Sequence, residues 1–123
     1  MRVLSSWVKR VLATLLRMER RPRGAFWGWA LVRHDSMLPT LRPGDRLLVS
    51  YRRRPSVGDV VVAAFPDGTL VVKRAAERRT TGWWLLSDNP AVGVDSRHRG
   101  VVADQDVRAV VLARAWPRPS RRL

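Results

Sequence analysis

The chain contains 24 basic residues, and just two of them are lysines, Lys9 and Lys73. Lys73 lies in an apolar run from Thr69 to Arg74. A lysine in apolar surroundings can lose its proton and act as a base, whereas an arginine keeps its charge. Such a base can activate a serine hydroxyl, and Ser36 lies in the turn-like segment His34–Leu41. Ser36 and Lys73 are therefore candidates for the nucleophile and base of a hydrolase.

Both residues also have an ordinary structural interpretation. A strand lysine can extend its amine past the rim of a sheet into water, and a serine shortly before Pro39 can serve in a turn. An unperturbed lysine has a pKa of about 10.4, so a few molecules in ten thousand carry a neutral amine at pH 7. Catalysis requires desolvation, which can lower a lysine pKa by about 3–5 units. Leu70, Val71 and Val72 are neighbours of the kind that could supply it.

Composition restricts the classes of protein that fit. A chain of 123 residues with 46% hydrophobic content is typical of one compact domain. It contains no cysteine, which excludes disulfides and thiol catalysis, and its histidines, His34 and His98, are far apart. We therefore expect no metal and no cofactor. The net charge of +14 could attract an anionic membrane, but the scattered arginines indicate a solvated surface and no specific nucleic-acid partner.

Residues 1–25 differ in pattern from the rest of the chain. Apolar residues between positions 3 and 20 recur at spacings of three and four, with basic residues on the other face. This pattern predicts a basic amphipathic helix and a linker, which either pack on the domain or lie against an anionic membrane. Neither this segment nor the apolar run Gly24–Val32 has the roughly 20 apolar residues that span a bilayer. Without an export signal, we expect a cytoplasmic protein, peripheral at the inner membrane face if it binds membrane.

Residues 26–116 have the pattern of a β domain, in which short runs of Val, Leu and Trp alternate with turn signals. Phe65–Thr69 contains Pro-Asp-Gly and predicts a hairpin turn that places Lys73 on the returning strand. Residues 117–123 are rich in Pro and Arg and predict a disordered tail. The predicted strands are 27–33, 46–51, 59–65, 69–74, 82–87 and 107–115.

Four blocks, in order along the chain, resemble the type I signal peptidase family of serine proteases. They are the nucleophile motif Ser36–Val49, the block Val57–Val61, the lysine motif Val71–Arg74, and a closing motif made of Ser87–Asn89, Asp95–Arg97 and Gly100. The resemblance covers roughly residues 32–115. It implies a mainly β, signal peptidase/LexA-like catalytic fold, preceded here by the amphipathic helix.

The resemblance also implies roles for individual residues. Ser36 would attack an extended precursor peptide, with Lys73 as general base, and the Ser36 backbone N–H would help form the oxyanion hole. His34, two residues before the nucleophile, could add a donor there or be an exposed strand-end histidine. Asp88 and Arg97 would form a structural salt bridge beside the site. The resemblance also implies a small apolar pocket for the residue before the scissile bond. Its walls would be Val32, Met37, Leu41, Val71 and Val72. The alternative is that these five residues are ordinary core positions.

One position departs from the family pattern. Many members carry a serine in the closing motif whose hydroxyl orients the lysine amine, but Gly93 stands at this position. Glycine cannot donate or accept that hydrogen bond through a side chain. Ser87, Ser96 or a bound water would have to replace the missing hydroxyl.

The resemblance extends to the soluble subgroup described as nickel-type superoxide dismutase maturation proteases. Its markers are the shortness of the chain, Gly82–Leu86 and Asp88–Pro90. The expected function is removal of an N-terminal propeptide or leader by a serine endopeptidase. The alternatives are a general signal peptidase-like enzyme held peripherally on the membrane, and a noncatalytic basic β module that binds nucleic acid or membrane.

Overall fold

The structure is a computed structural model that describes residues 24–123, and it is mainly β, as the sequence predicts. Over this range seven strands form one antiparallel sheet in the order β1-β2-β7-β3-β4-β5-β6. The strands are β1 (Trp27–Leu31), β2 (Arg46–Ser50), β3 (Val60–Ala64), β4 (Leu70–Arg79), β5 (Gly82–Leu86), β6 (Val102–Ala103) and β7 (Val107–Trp116). A short helix, α1 (Ser96–Arg99), precedes β6, and 3₁₀ turns cover Asp35–Met37 and Asp104–Asp106. The predicted N-terminal helix lies outside the described residues.

The β3–β4 hairpin carries Lys73 into the sheet. At the predicted turn, the Phe65 N–H donates to the Thr69 carbonyl at 2.9 Å, and Gly68 has a φ of +85° that a side chain would disfavour. The two strands pair in a register that sets Val61 opposite Lys73. The predicted hairpin is therefore confirmed, and its turn fixes which residues lie beside the lysine.

The core consists of two clusters of buried apolar side chains, and β3 contributes to both. Val60 and Val62 belong to the first cluster, whereas Val61 and Ala63 belong to the second. This alternation follows from the period of two in a strand. Because every residue of β3 is buried, this central strand is apolar on both faces. Side chains opposite one another in the register share a face, so Lys73 lies on the side of the second cluster.

The connection from β1 to β2 is a closed loop that presents Ser36. The Val32 N–H donates to the Asp45 carbonyl at 2.9 Å, and the Gly44 N–H donates to the Val32 carbonyl at 2.7 Å. The buried Asp45 carboxylate accepts a hydrogen bond from the Arg42 N–H at 2.9 Å. These bonds draw the two ends of the loop together, so the Ser36 turn projects from a fixed base.

Residues 117–123 differ from the predicted disordered tail because they fold back on the domain. Arg114 and Ser120 exchange backbone hydrogen bonds of 2.8 and 2.9 Å. Leu123 packs against the first core cluster, and its carbonyl accepts a hydrogen bond from Arg74 at 2.6 Å. The prediction of disorder rested on composition alone. Composition does not reveal the backbone bridge between Arg114 and Ser120, nor the apolar surface that Leu123 covers.

Truncating a buried side chain of the first cluster should destabilise the whole sheet. Leu47 on β2 has no exposed surface, so Leu47→Ala is expected to lower the free energy of unfolding by about 2–5 kcal/mol through lost burial and a residual cavity. Urea denaturation measures the change. The control Val57→Ala alters a side chain that is 66% exposed and should change stability by less than about 0.5 kcal/mol. Equal effects of both variants would contradict this location of the core.

Candidate active site

The Lys73 amine is buried inside the sheet. The residue is 2% exposed, and its Nζ donates a hydrogen bond to the Ser87 Oγ at 2.9 Å. Burial lowers the pKa of Lys73 below its usual value, because desolvation penalises the ammonium form. The negative charge of Asp95 opposes this shift, and the positive charge of Arg97 adds to it. The rim-lysine interpretation is therefore wrong, since this amine does not reach open water.

Ser36 lies in the 3₁₀ turn after β1 and is half-buried. Its carbonyl accepts a hydrogen bond from the Asn89 N–H at 2.9 Å, and the Asn89 side-chain amide donates to the Asp35 carbonyl at 3.2 Å. Met37, the next residue, is buried, and its sulfur accepts a long hydrogen bond of 3.4 Å from the Asp88 N–H. The closing motif thus holds the nucleophile turn from one side.

Gly93 shows that the Ser36 and Lys73 side chains approach the same point. A Cβ placed on Gly93 would lie 2.8 Å from the Ser36 Cβ, 3.3 Å from the Lys73 Nζ and 3.6 Å from the Ser87 Oγ. Gly93 also has a φ of +88°, in the region that favours glycine. Residues far apart in sequence are therefore brought together around a position that has room for a hydrogen atom alone.

Ser36 and Lys73 line a cleft of about 920 Å³. Four of the five predicted pocket residues line it: Val32, Met37, Val71 and Val72. The fifth, Leu41, is fully buried in the first core cluster and does not line the cleft, so its predicted position in the pocket wall is wrong. Leu41 directs its side chain inward because its N–H closes a backbone turn onto the Met37 carbonyl at 2.9 Å.

His34 lies at the mouth of the same cleft and is exposed. It precedes the 3₁₀ turn of Ser36 without capping it through its side chain. The structure thus places His34 close enough to line the site. Its part in an oxyanion hole, like that of the Ser36 N–H, stays a prediction.

The predicted ion pair between Asp88 and Arg97 is wrong, because each residue has another partner. Arg74 binds Asp88 with two hydrogen bonds of 3.1 and 2.6 Å, and the Thr40 hydroxyl donates to the same carboxylate at 2.5 Å. Arg97 instead binds Asp95, with the Nε to Oδ1 distance at 3.0 Å. The pairing of Arg74 with Asp88 joins β4 to the closing motif.

Asp95 organises the segment behind Lys73. Its fully buried carboxylate accepts hydrogen bonds from the Ser87 N–H at 2.9 Å and from the Arg97 N–H at 3.0 Å, and it caps α1. Desolvation would raise the pKa of Asp95, but the hydrogen bonds from Arg97 and the Ser87 backbone outweigh it and lower the pKa to about 2. The ionised carboxylate therefore fixes the backbone of Ser87, whose hydroxyl accepts a hydrogen bond from the lysine amine.

Sequence reasoning missed part of the cleft wall. Phe65, Asp67 and Arg99 also line the cleft, and Arg99 lies over the Phe65 ring with 5.2 Å from its Cζ to the ring centroid. The available signal was the hairpin turn, since a turn placed four to eight residues before Lys73 must lie near it. Arg99 carried no such signal, because its approach depends on the path of the chain after β5.

Comparison with known proteins identifies the family. A family model described as Peptidase S24-like matches residues 6–110, most of the chain. The chain belongs to the Peptidase S24-like family. It is also similar to mitochondrial inner membrane protease subunit 1 of Schizosaccharomyces pombe, with 34% identity in a match that covers 68% of this chain and 70% of that protein.

These matches support a signal peptidase-like protease with a mainly β catalytic fold. The prediction from the four sequence blocks is therefore confirmed at this level. The superoxide dismutase maturation subgroup stays a prediction. Within residues 24–123, no helix is both long and apolar enough to cross a bilayer.

The depressed pKa of Asp95 predicts a specific acid sensitivity. Because its folded-state pKa lies below the ordinary 3.8, ionised Asp95 stabilises the fold above about pH 4, and this contribution is lost as the pH falls toward 2. The contribution should be roughly 2 kcal/mol. Asp95→Asn is expected to lower the free energy of unfolding at pH 7 and to flatten its decline between about pH 5 and 2, as measured by urea denaturation at each pH.

The matched control is Asp104→Asn. Asp104 is paired with Arg78 in an exposed ion pair, so its replacement should change stability by less than about 1 kcal/mol. An Asp95→Asn protein that keeps the full acid slope of the wild type would contradict the role given to the buried carboxylate.

Proposed function

We propose that the chain is a serine endopeptidase in which Ser36 is the nucleophile and Lys73 the general base. The observation that carries this proposal is the convergence of Ser36 and the buried Lys73 amine on Gly93, at the floor of an open, largely apolar cleft. Burial lowers the pKa of Lys73, and a lowered pKa increases the share of the neutral amine that can act as a base. Membership of a peptidase family supports the same assignment.

The Lys73 amine accepts a proton and gives it up again in each half of the reaction, the formation of the Ser36 ester and its hydrolysis. As the Ser36 Oγ attacks the scissile carbonyl carbon, its proton passes to the Lys73 Nζ and the carbonyl oxygen becomes an oxyanion. The Ser36 N–H, assisted by His34, stabilises that oxyanion. The C–N bond then breaks, and the lysine ammonium donates its proton to the leaving amine. Water then attacks the Ser36 ester as the same amine takes its proton. The ester C–O bond breaks, the ammonium returns the proton to the Ser36 Oγ, and both residues are restored.

The sheet geometry favours an extended peptide as the substrate. Residues 70–73 of β4 pair with β3 along one edge, whereas the pairing of β4 with β5 begins at Arg74. The other edge of this segment faces the cleft, where a peptide can add as a further strand. Val32, Met37 and Val71 then form a shallow apolar wall for a small side chain before the scissile bond.

The substrate we propose is a precursor with an N-terminal propeptide or leader, and in particular a nickel-type superoxide dismutase precursor processed in the cytoplasm. A second candidate is general processing of leader peptides at a membrane surface, with the enzyme held peripherally at the inner face by its basic N-terminal segment. The similarity to an inner membrane protease subunit favours this second candidate. Both share the same catalytic residues and require no cofactor.

Removing either catalytic group should abolish cleavage. Ser36→Ala and Lys73→Ala are each expected to lower kcat/KM by at least about 100-fold, because one lacks the nucleophile and the other the base. Suitable probes are extended peptides with a small apolar residue before the scissile bond, and a nickel-type superoxide dismutase precursor, followed by mass spectrometry. Ser56→Ala, an exposed change outside the cleft, is the control. Undiminished cleavage by Ser36→Ala, or none by the wild type, would overturn the proposed function.

The activity should also depend on pH through Lys73. The neutral amine is the active form, so kcat/KM should rise with pH until the lysine is deprotonated. Because burial lowers the pKa of Lys73, the rise should level off below the usual lysine pKa of about 10.4. Rates measured from pH 6 to 10 in a buffer series of constant ionic strength give this profile. A rate that is flat over the whole range would show that the amine is not the base.

A further inference from the structure

Ser87 occupies the position that the missing hydroxyl of residue 93 leaves open. Its Oγ lies 2.9 Å from the Lys73 Nζ, and both residues are buried. The other candidate serine, Ser96, is already engaged, because its Oγ accepts a hydrogen bond from the Leu85 N–H at 2.9 Å. Of the two serines, Ser87 is therefore the one that accepts a hydrogen bond from the lysine amine.

We propose that Ser87 is the positioning residue for Lys73. Its hydroxyl replaces one that position 93, which has no room for a side chain, cannot carry. The proposal rests on the function proposed above. An amine that donates one N–H to the Ser87 Oγ has a fixed orientation and keeps its lone pair available for the Ser36 proton. Ser87 is itself immobilised, since it directly follows β5 and its N–H donates to the buried Asp95 carboxylate at 2.9 Å.

Gly93 explains why the hydroxyl lies at position 87. Even a methyl group at position 93 would come within 2.8 Å of the Ser36 Cβ, and the φ of +88° disfavours any side chain. A serine there would have to displace the nucleophile. Ser87 approaches the amine from the end of β5 and leaves the Ser36 side of the amine clear.

The lysine content of the chain permits a direct test without a substrate. Lys9→Arg leaves Lys73 as the sole lysine, so ¹³C-labelled lysine gives one titrating Cε signal by NMR. In this background Ser87→Ala is expected to lower the pKa of Lys73 further, because the ammonium loses the hydrogen bond that stabilises it. A merely loosened site would give the opposite result, since admission of water returns the pKa toward about 10.4.

The other charged groups near the amine must be unchanged for this comparison. Those that face Lys73 from the segment around α1 are Asp95 and Arg97. Those that line the cleft are Arg33, His34, Asp35, Asp67 and Arg99. Ser96→Ala is the matched control, because it removes a buried hydroxyl from the same region but leaves these charges and the Ser87 hydroxyl in place, so the pKa of Lys73 should not move.

Kinetics supply the second readout. Ser87→Ala should lower kcat by about 10- to 100-fold with KM nearly unchanged, because the base is misplaced while the peptide cleft is intact. Gly93→Ser added to Ser87→Ala should not restore the rate. An unchanged Lys73 pKa and kcat in Ser87→Ala, or full rescue by Gly93→Ser, would overturn this inference. Ser36→Ala tests the proposed function separately, so the two can fail independently.

Discussion

The burial of one amine is the constraint on which the rest of the site depends. A lysine inside a sheet is costly unless its environment accepts either the neutral form or a satisfied ammonium. The structure meets both conditions: Val61 lies opposite Lys73 on β3, and the Ser87 Oγ accepts one N–H. The burial of the β3 face that carries Val61 meets the same requirement. If that face were solvated, the amine would be hydrated and would lose the desolvation that lowers its pKa.

Two aspartates, the half-buried Asp88 and the buried Asp95, hold different segments of the chain around that amine. Asp88 ties the nucleophile loop to β4 by accepting from Thr40 and Arg74. Asp95 ties the end of β5 to α1 by accepting from the Ser87 and Arg97 N–H groups. Each carboxylate thus links segments that are distant in sequence. The closing motif is therefore a structural clamp, in which the charged residues hold neighbouring segments in position.

Much of the fold, and the selection of Ser36 and Lys73 as residues that meet at one place, could be predicted from sequence, because these features have local signals. A continuous run of valines predicts β3, Pro-Asp-Gly predicts the turn before β4, and the isolated Lys73 marks an unusual environment. The remaining features arise from long-range packing. Arg74 and Arg97 are equivalent in composition, and nothing local indicates which of them meets Asp88. The two-residue strand β6, the docking of Leu123 and the inward direction of Leu41 depend likewise on segments that meet only in the folded chain.

The two charges of the Asp95–Arg97 pair have opposite effects on the pKa of Lys73. A carboxylate near Lys73 stabilises the ammonium and so opposes its use as a base. Arg97 opposes that field with its own positive charge, and it binds the same carboxylate through its Nε and Nη2 at 3.0 and 3.1 Å. The site therefore gains the hydrogen-bonding capacity of an ionised aspartate, and Arg97 offsets part of its effect on the lysine. Arginine suits this position because it stays protonated at any pH at which the lysine beside it titrates.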